Sequence, residues 1–184
     1  VNADADPSYL YYLNGQFQQG GWWYYFLAAF VLKTPLPFLG LLLISLVMFR
    51  RNPITAIEKI TLLGISALFL FVTSWKARDI GVRYLLPLYP FLILYAVGIL
   101  KPLWNDLRNY ASVKVVASAF CIFALWYVYS AVAIYPNYIA YFNELIGGTK
   151  NGYKYLGDSN IEWRHDLKRL AEYQKKFPET QVLF

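Results

Sequence analysis

The sequence contains 184 residues, of which 58% are hydrophobic and 20% aromatic but only 15% charged, and its mean hydropathy is positive. This composition excludes an ordinary water-soluble domain and makes an integral membrane protein the expected class. The formal net charge of +6 does not indicate a nucleic-acid-binding protein, because the Lys and Arg residues flank apolar runs instead of forming one basic face.

The two ends of the sequence do not look like natural termini. The chain begins at Val1 and not at a methionine, and it stops in an apolar, strand-like run at residues 181–184 that caps nothing. The first twenty residues are polar and Tyr-rich, so they do not form a signal peptide. We therefore expect the chain to be the C-terminal half of a longer protein.

Four apolar runs are long enough to cross a bilayer, which takes roughly 17 to 25 helical residues per span. They predict spans at about 34–49, 60–75, 84–100 and 115–134. The predicted fold is an all-α polytopic membrane protein, with about four transmembrane helices, an interfacial helix and an extracytoplasmic helical tail. Its expected parts are an extracytoplasmic loop at 1–21, a membrane domain at 22–134 and a tail at 135–184.

The first run is interrupted by Lys33, Pro35 and Pro37. The aromatic residues at 22–26 predict an interfacial helix, because amphipathic rings favour the headgroup level. The span then starts near Thr34, where prolines are tolerated in a first turn whose amides lack partners. A single kinked and tilted helix is the alternative for this run.

Basic residues favour one orientation of the predicted spans. Three of them lie in the connection 50–59 and three in the connection 101–114, so the rule that Lys and Arg stay inside places both connections in the cytoplasm. Lys76, Arg78 and Arg83 in the connection between them weaken this bias. Both ends of the chain then face the extracytoplasmic side of a membrane, which we expect to be the bacterial inner membrane.

The tail differs from the membrane domain in composition. Between 162 and 176, Leu167, Leu170 and Tyr173 follow a helical spacing among charged residues, with Asn160 or Asp158 as the expected N-cap. Asn143 and Glu144 are expected to pack the tail onto the membrane domain.

Standard catalytic and metal-binding motifs do not occur in the sequence. Cys121 is the only cysteine and His165 the only histidine, so no intrachain disulfide and no Cys-based or paired-His metal site can form. The segment 15–20 lacks the Lys-Ser/Thr of a P-loop, and neither a GxSxG nor a CxxC motif is present. No cofactor is evident, and the requirement for a divalent metal stays open.

Several stretches, in order along the chain, resemble the bacterial relatives of the protein O-mannosyltransferases in glycosyltransferase family 39, which have the C-type membrane fold. The stretches are GWWYYF at 21–26, LKTPLP at 32–37, GVRYLLP at 81–87, YPNYIAYFNEL at 135–145, NGY at 151–153 and DSNIEW at 158–163. The resemblance covers the chain from about Tyr11 to Lys176. It implies an enzyme that moves a sugar from a polyprenyl-phosphate donor to an extracytoplasmic acceptor, which is a protein, a lipid or a glycan.

The same resemblance places the general base of such an enzyme, an Asp, in a first extracytoplasmic loop that is not in this sequence. This chain alone is therefore expected to be inactive. Arg83 is the first candidate for binding the donor phosphate, because a guanidinium can grip a phosphate with two parallel hydrogen bonds. Its alternative role is that of a headgroup anchor. Lys33 is the second candidate, with snorkelling to the interface as its alternative.

A polar cluster in the tail is the candidate site for the acceptor or its sugar. Its members are Asp158, Asn160, Glu162, Trp163 and Asp166. A capped helix start is the alternative explanation for the cluster, because acids and Asn stabilise free helical amides. The family pattern continues Trp-Gly-Gln-Asp, whereas this chain reads Trp-Arg-His-Asp at 163–166, which puts the shared backbone geometry in question.

Two other functional classes stay open at this point. A transporter fragment would carry ionisable residues or broken helices at mid-membrane depth, and here the charges lie at the ends of the apolar runs. A non-catalytic membrane scaffold would keep the fold without the chemistry. The expected partners are the lipid bilayer, the polyprenyl-phosphate-linked sugar and the acceptor, without nucleic acid.

Overall fold

The structure, a computed structural model, describes residues 9–162 and 167–178, apart from the side chain of Lys168. These residues are mostly helical. They form strands β1 (Leu10–Leu13) and β2 (Gln16–Gln19) and helices α1 (Tyr25–Lys33), α2 (Leu36–Val47), α3 (Ala56–Lys76), α4 (Leu88–Val97), α5 (Leu100–Tyr110), α6 (Val113–Val132) and α7 (Leu167–Lys176). Short 3₁₀ turns occur at 82–85 and at several places between 138 and 160.

A β-hairpin near the start of the chain corrects the prediction of an all-α fold. Strands β1 and β2 pair antiparallel, with Leu13 opposite Gln16. Asn14 and Gly15 between them have φ angles of 50° and 79°. This left-handed pair is what a two-residue hairpin turn requires, and Asn-Gly is its strongest sequence signal. Residues 1–21 are predicted as a loop in the sequence analysis because their polar, Tyr-rich composition outweighed that signal.

The first apolar run is broken into two helices. Helix α1 ends at Lys33 and α2 starts at Leu36, with Pro35 as its N-cap and Pro37 in its first turn. The axes of the two helices differ by 114°, because Pro35 cannot donate a helical hydrogen bond. The predicted division of this run into two helices is therefore observed, but α2, with 12 residues, is not by itself among the helices long enough to span a membrane.

Among the described residues, three helices are long and apolar enough to cross a membrane, or up to four if the bent pair α1–α2 forms one span. The three are residues 56–76, 88–110 and 113–132. Helix α3 starts four residues before the predicted span, because Thr55 and Glu58 form a capping box there. The span predicted at 84–100 begins later, at Leu88, because residues 82–85 form a 3₁₀ turn.

Helix α5 occupies a segment that was predicted as a connection between spans. Its apolar residues Leu103, Trp104 and Leu107 follow a helical spacing. The Trp104 ring meets the Phe120 ring of α6 edge-to-face at 5.3 Å, so α5 packs against the helix that follows it. The charged residues of this segment favoured a connection, whereas its apolar residues have the spacing of an amphipathic helix.

Polar side chains join α2 to α4 inside the bundle. Asn52 donates from its side-chain amide to Ser45 Oγ and to the Tyr95 carbonyl, both at 3.0 Å. Tyr95 donates in return from its hydroxyl to the Ser45 carbonyl at 3.0 Å. Gly98 lets Asn52 approach, because a Cβ on Gly98 would lie 2.5 Å from Asn52 Oδ1.

We predict opposite effects for two glycine-to-alanine substitutions. Gly98→Ala pushes against the buried Asn52 and should destabilise the fold by about 1–3 kcal/mol, as overpacking does. Gly64→Ala is the matched control, since a Cβ on Gly64 meets nothing within 4 Å and alanine favours a helix by up to about 1 kcal/mol. Thermal unfolding in detergent measures both. A Gly98→Ala variant as stable as Gly64→Ala would contradict the observed α2–α4 contact.

Candidate functional site

Three segments meet at one end of the helical bundle, which we call the hairpin end. They are the hairpin, the connection 77–87 between α3 and α4, and residues 137–160 after α6. The Asn14 amide donates to the Tyr155 carbonyl at 2.8 Å, and the Trp22 amide donates to Asp79 Oδ2 at 2.6 Å. Segments far apart in the sequence therefore build one surface.

Asn143 and Glu144 attach the tail to the helices, as the sequence predicts. The buried Asn143 amide donates to the carbonyls of Val31 at 2.5 Å and Thr34 at 2.8 Å, where α1 ends. These carbonyls have no helical partner, so the Asn143 side chain satisfies them. Glu144 accepts from the indole of Trp126 at 3.1 Å and thereby links the tail to α6.

Asn160 connects the tail to α1 and to the connection 77–87. Its side-chain amide donates to Tyr25 Oη at 2.7 Å and to the Gly157 carbonyl at 3.0 Å. Its Oδ1 accepts from the Val82 amide at 3.0 Å. The side chain is fully buried, so Asn160 is a structural link here and not an exposed ligand or the N-cap of α7.

Lys33 is buried at the break between α1 and α2, which excludes snorkelling to the interface. The residue is only 8% exposed. Its ammonium donates to the Ile139 carbonyl at 2.6 Å and to the Asn160 carbonyl, and it lies 4.3 Å from the centroid of the Phe142 ring. These partners are neutral. Within the described residues, no carboxylate forms an ion pair with Lys33.

Lys33 and Arg83, the two candidates for phosphate binding, line the same cavity. This bundle cavity has a volume of about 500 Å³, and its wall is mostly apolar. Its lining residues are Lys33, Pro35, Val82, Arg83, Leu86, Tyr89, Tyr138, Ile139, Tyr141 and Ser159. A concave, mostly apolar pocket with a few polar groups is typical of small-molecule sites.

Tyr141 adds a hydroxyl donor to the wall of the bundle cavity. Its hydroxyl is buried, and the Ser130 side chain is a hydrogen-bonding neighbour. Burial raises the pKa of this hydroxyl to about 12, so Tyr141 keeps its proton at neutral pH. Arg83 lies beside the Tyr84 ring, with the guanidinium carbon 5.2 Å from the ring centroid.

No protein-family model, curated protein or solved structure matches the chain. The bundle cavity combines two basic side chains, those of Lys33 and Arg83, with a mostly apolar wall.

A second cavity lies between the hairpin and the tail. This hairpin cavity has a volume of about 480 Å³. Its lining residues are Tyr9, Leu10, Tyr11, Tyr12, Phe17, Asp79, Tyr153, Gly157 and Asp158. Asp158, predicted as an acceptor-site residue, therefore lies in a different cavity from Lys33 and Arg83, and Asp79 joins it there.

Tyr9 and Asp158 are coupled at the hairpin cavity. The Tyr9 hydroxyl donates to Asp158 Oδ2. This hydrogen bond, together with burial and the carboxylate charge, raises the pKa of the Tyr9 hydroxyl to about 12. Tyr9 therefore remains a neutral hydrogen-bond donor over the physiological pH range.

The remaining predicted site residues are not brought together by the structure. Glu162 is exposed at the end of the turn that follows Asp158. Trp163 and Asp166 lie outside the described residues. Within the described part of the chain, no group of three or more His, Cys, Asp or Glu side chains could hold a metal ion.

Asp79 is the principal residue that the sequence interpretation missed. It is 3% exposed. It lies in the connection 77–87, whose basic residues were interpreted as signals of membrane orientation. Gly21 approaches it closely, because a Cβ on Gly21 would meet Asp79 Oδ2 at 2.2 Å, and Gly21 has a φ of 68°. The signal available in the sequence was a lone acid after a span, in a loop on the same predicted side as Asp158.

Removal of the Asn160 side chain should destabilise the protein even when no ligand is bound. Asn160→Ala leaves the partly buried Val82 amide without its acceptor and Tyr25 without its donor, which should cost roughly 2–6 kcal/mol at about 1–3 kcal/mol per unsatisfied group. Asn109→Ala, at an exposed position on α5, is the matched control and should change stability little. Thermal unfolding in detergent compares the two. Equal stabilities would contradict the linking role of Asn160.

Proposed function

We propose that the chain is part of an integral membrane glycosyltransferase that binds a polyprenyl-phosphate-linked sugar in the bundle cavity and passes the sugar to an extracytoplasmic acceptor. The observation that carries this proposal is the buried Lys33 ammonium at a mostly apolar cavity. The resemblance to glycosyltransferase family 39 supports the same substrate class.

The exposed surface of the helices supports a location in the bilayer. Only 17% of the apolar window of α3 and 11% of that of α6 are buried inside the protein. In water this exposed apolar area would be unfavourable, at roughly 25 cal/mol per Å². In a bilayer, the same side chains contact lipid chains and the helical hydrogen bonds satisfy the backbone.

The charge distribution supports an orientation with the hairpin end outside. Arg51 forms a salt bridge with Asp106, which brings the connection after α2 next to α5 at the opposite end of the bundle. The basic residues in and next to these two segments are Arg50, Arg51, Lys59, Lys101, Arg108 and Lys114. Because Lys and Arg are enriched in cytoplasmic loops, we assign this end to the cytoplasm.

A lipid phosphate matches the chemistry of the bundle cavity. Burial of an unpaired ammonium costs several kcal/mol, and a bound anion offsets that cost. Lys33 has three N–H donors, of which two reach protein carbonyls, so one remains for a phosphate oxygen. The apolar wall then contacts the first isoprene units of the donor.

Arg83 serves as an electrostatic stabiliser in the proposed transfer. The acceptor oxygen forms a bond to the anomeric carbon of the sugar while the bond from that carbon to the phosphate oxygen breaks. The acceptor proton goes to the general base, and the polyprenyl phosphate leaves as an anion. A guanidinium at the mouth of the cavity favours that anion, because charge-assisted bonds to phosphate are strong in a water-poor site.

Substitution of Arg83 should weaken phospholipid-donor binding. Arg83→Gln removes a cationic donor pair and should raise the Kd for a C55 polyprenyl phosphate in nanodiscs at least tenfold, since hydrogen bonds to charged groups contribute about 1.5–3 kcal/mol. Arg108→Gln, an exposed arginine on α5, is the matched control and should leave the Kd unchanged.

Two results would contradict this prediction. One is an unchanged Kd for Arg83→Gln, and the other is the absence of polyprenyl phosphate binding by the folded wild-type protein. Because the family resemblance assigns the general base to a loop before this sequence, transfer itself is measured with the complete gene product in membranes. Loss of transfer in Arg83→Gln supports the stabilising role.

The proposed topology predicts opposite accessibility for two cysteines introduced in a Cys121→Ser background. Lys150→Cys lies in the tail and Tyr110→Cys at the end of α5, where Tyr110 is 91% exposed. Helix α6 has 20 residues and rises about 30 Å, enough to separate the two positions by a bilayer. A membrane-impermeant maleimide should label Lys150→Cys in intact cells and Tyr110→Cys only after permeabilisation. Labelling of both cysteines in intact cells would contradict the topology.

A further inference from the structure

The hairpin cavity combines aromatic rings with carboxylate acceptors. Tyr9, Tyr12, Phe17 and Tyr153 contribute rings to its wall, and Asp158 contributes a carboxylate. Tyr153 is 60% exposed and Phe17 68% exposed, although apolar ring area at a water-facing surface is unfavourable unless a partner covers it. The cavity therefore has the character of an incompletely covered binding surface.

Protein donors contact both carboxylates of the cavity. Asp79 accepts from the Trp22 amide at 2.6 Å. Asp158 accepts from the Tyr9 hydroxyl and, at 2.6 Å, from the Ser159 amide. These two bonds use part of the acceptor capacity of Asp158, since a carboxylate offers about four acceptor sites. Hydroxyl groups of a ligand are suitable donors to the exposed Asp158 carboxylate.

A buried hydroxyl accompanies the carboxylates. Tyr11 lines the same cavity and is 1% exposed, and its hydroxyl has no hydrogen-bond partner among the described residues. A buried polar group without a partner costs about 1–3 kcal/mol. Its position at the cavity wall is a second, independent sign of a polar ligand.

From this geometry we propose that the hairpin cavity binds a neutral carbohydrate. Tyr153 and its neighbouring rings pack against the C–H face of the sugar, while Asp158 accepts hydrogen bonds from its hydroxyl groups. Rings supply large contact area at low entropic cost and carboxylates supply the strong, oriented hydrogen bonds. No three-carboxylate group is available for a metal ion in the described residues.

The position of the cavity relates this carbohydrate to the donor site. Asp79 and Asp158 line the hairpin cavity, whereas Val82, Arg83 and Ser159 of the same two segments line the bundle cavity. The Ser159 hydroxyl donates to the Ile80 carbonyl at 2.5 Å and holds these segments together. The role of this carbohydrate rests on the proposed function. On that function, it is the acceptor glycan and lies beside the lipid-linked sugar donor.

Saturation-transfer difference NMR with neutral methyl glycosides tests the inference on the protein in detergent. The probes are the methyl glycosides of mannose, galactose and N-acetylglucosamine, and at least one should give a transfer signal with the wild type. Asp158→Asn and Tyr153→Ala should reduce that signal at least threefold. Asp158 has a φ of 54°, which asparagine tolerates, so Asp158→Asn is expected to fold.

Matched controls separate the cavity from general effects. Asp106→Asn removes an acid from an exposed salt bridge, and Tyr110→Ala removes an exposed tyrosine. Both should keep the wild-type signal. Absence of any signal with the wild type, or signals that the cavity variants do not reduce, would overturn the inference.

Polyprenyl phosphate binding, measured on the same samples, distinguishes failure of this inference from failure of the proposed function. Asp158→Asn should keep the wild-type Kd for polyprenyl phosphate while it loses the glycoside signal. Lipid binding without any glycoside signal would overturn the carbohydrate site and leave the donor site standing. Glycoside signals without lipid binding would support the carbohydrate site and contradict the donor proposal.

Discussion

The hairpin end depends on how its irregular backbone satisfies its hydrogen bonds. Residues 137–160 form short turns and no long helix. Their backbone polar groups, and the carbonyls at the C-terminal end of α1, therefore need hydrogen-bond partners outside regular secondary structure. Asn143 supplies donors to two α1 carbonyls, and Lys33 supplies donors to the carbonyls of Ile139 and Asn160. The tail therefore adheres to the bundle through buried polar contacts, with apolar packing around them.

This arrangement places a charge where the functional proposal needs one. Pro35 ends the hydrogen bonding of α1 and separates it from α2 by a bend of 114°, which leaves Lys33 at the break. The bend lets the tail reach over Lys33 and bury it. A straight helix would have carried the same lysine along its side, where the long side chain could extend to the headgroups.

The sequence was informative about the bundle because its signals are long and periodic. Apolar runs predicted each of the three long helices to within a few residues, except where α5 continued past Lys101 and where 82–85 formed a 3₁₀ turn. Pro35 and Pro37 marked the start of α2. The hairpin was missed although Asn14-Gly15 signals one, because two four-residue strands are weak against a Tyr-rich background.

The site was less predictable, because it depends on contacts between distant segments. The family resemblance selected Arg83 and Lys33, and they line one cavity. It also selected Asn160, whose burial could not be inferred from its neighbours, since its partners Tyr25 and Val82 are 135 and 78 residues away. Asp79 carried no motif of its own, and only the approach of Gly21 and Trp22 to its carboxylate reveals its position.

The two cavities share their supporting segments, which has a mechanical consequence. The Ser159–Ile80 hydrogen bond and the Asn160–Val82 hydrogen bond fix residues 158–160 against residues 80–82. The same short turn therefore carries Asp158 into the wall of the hairpin cavity and Ser159 into the wall of the bundle cavity. On the proposed function, this shared turn would hold the acceptor and the donor side by side without a flexible linker between their sites, and holding reactants in fixed proximity is entropically favourable.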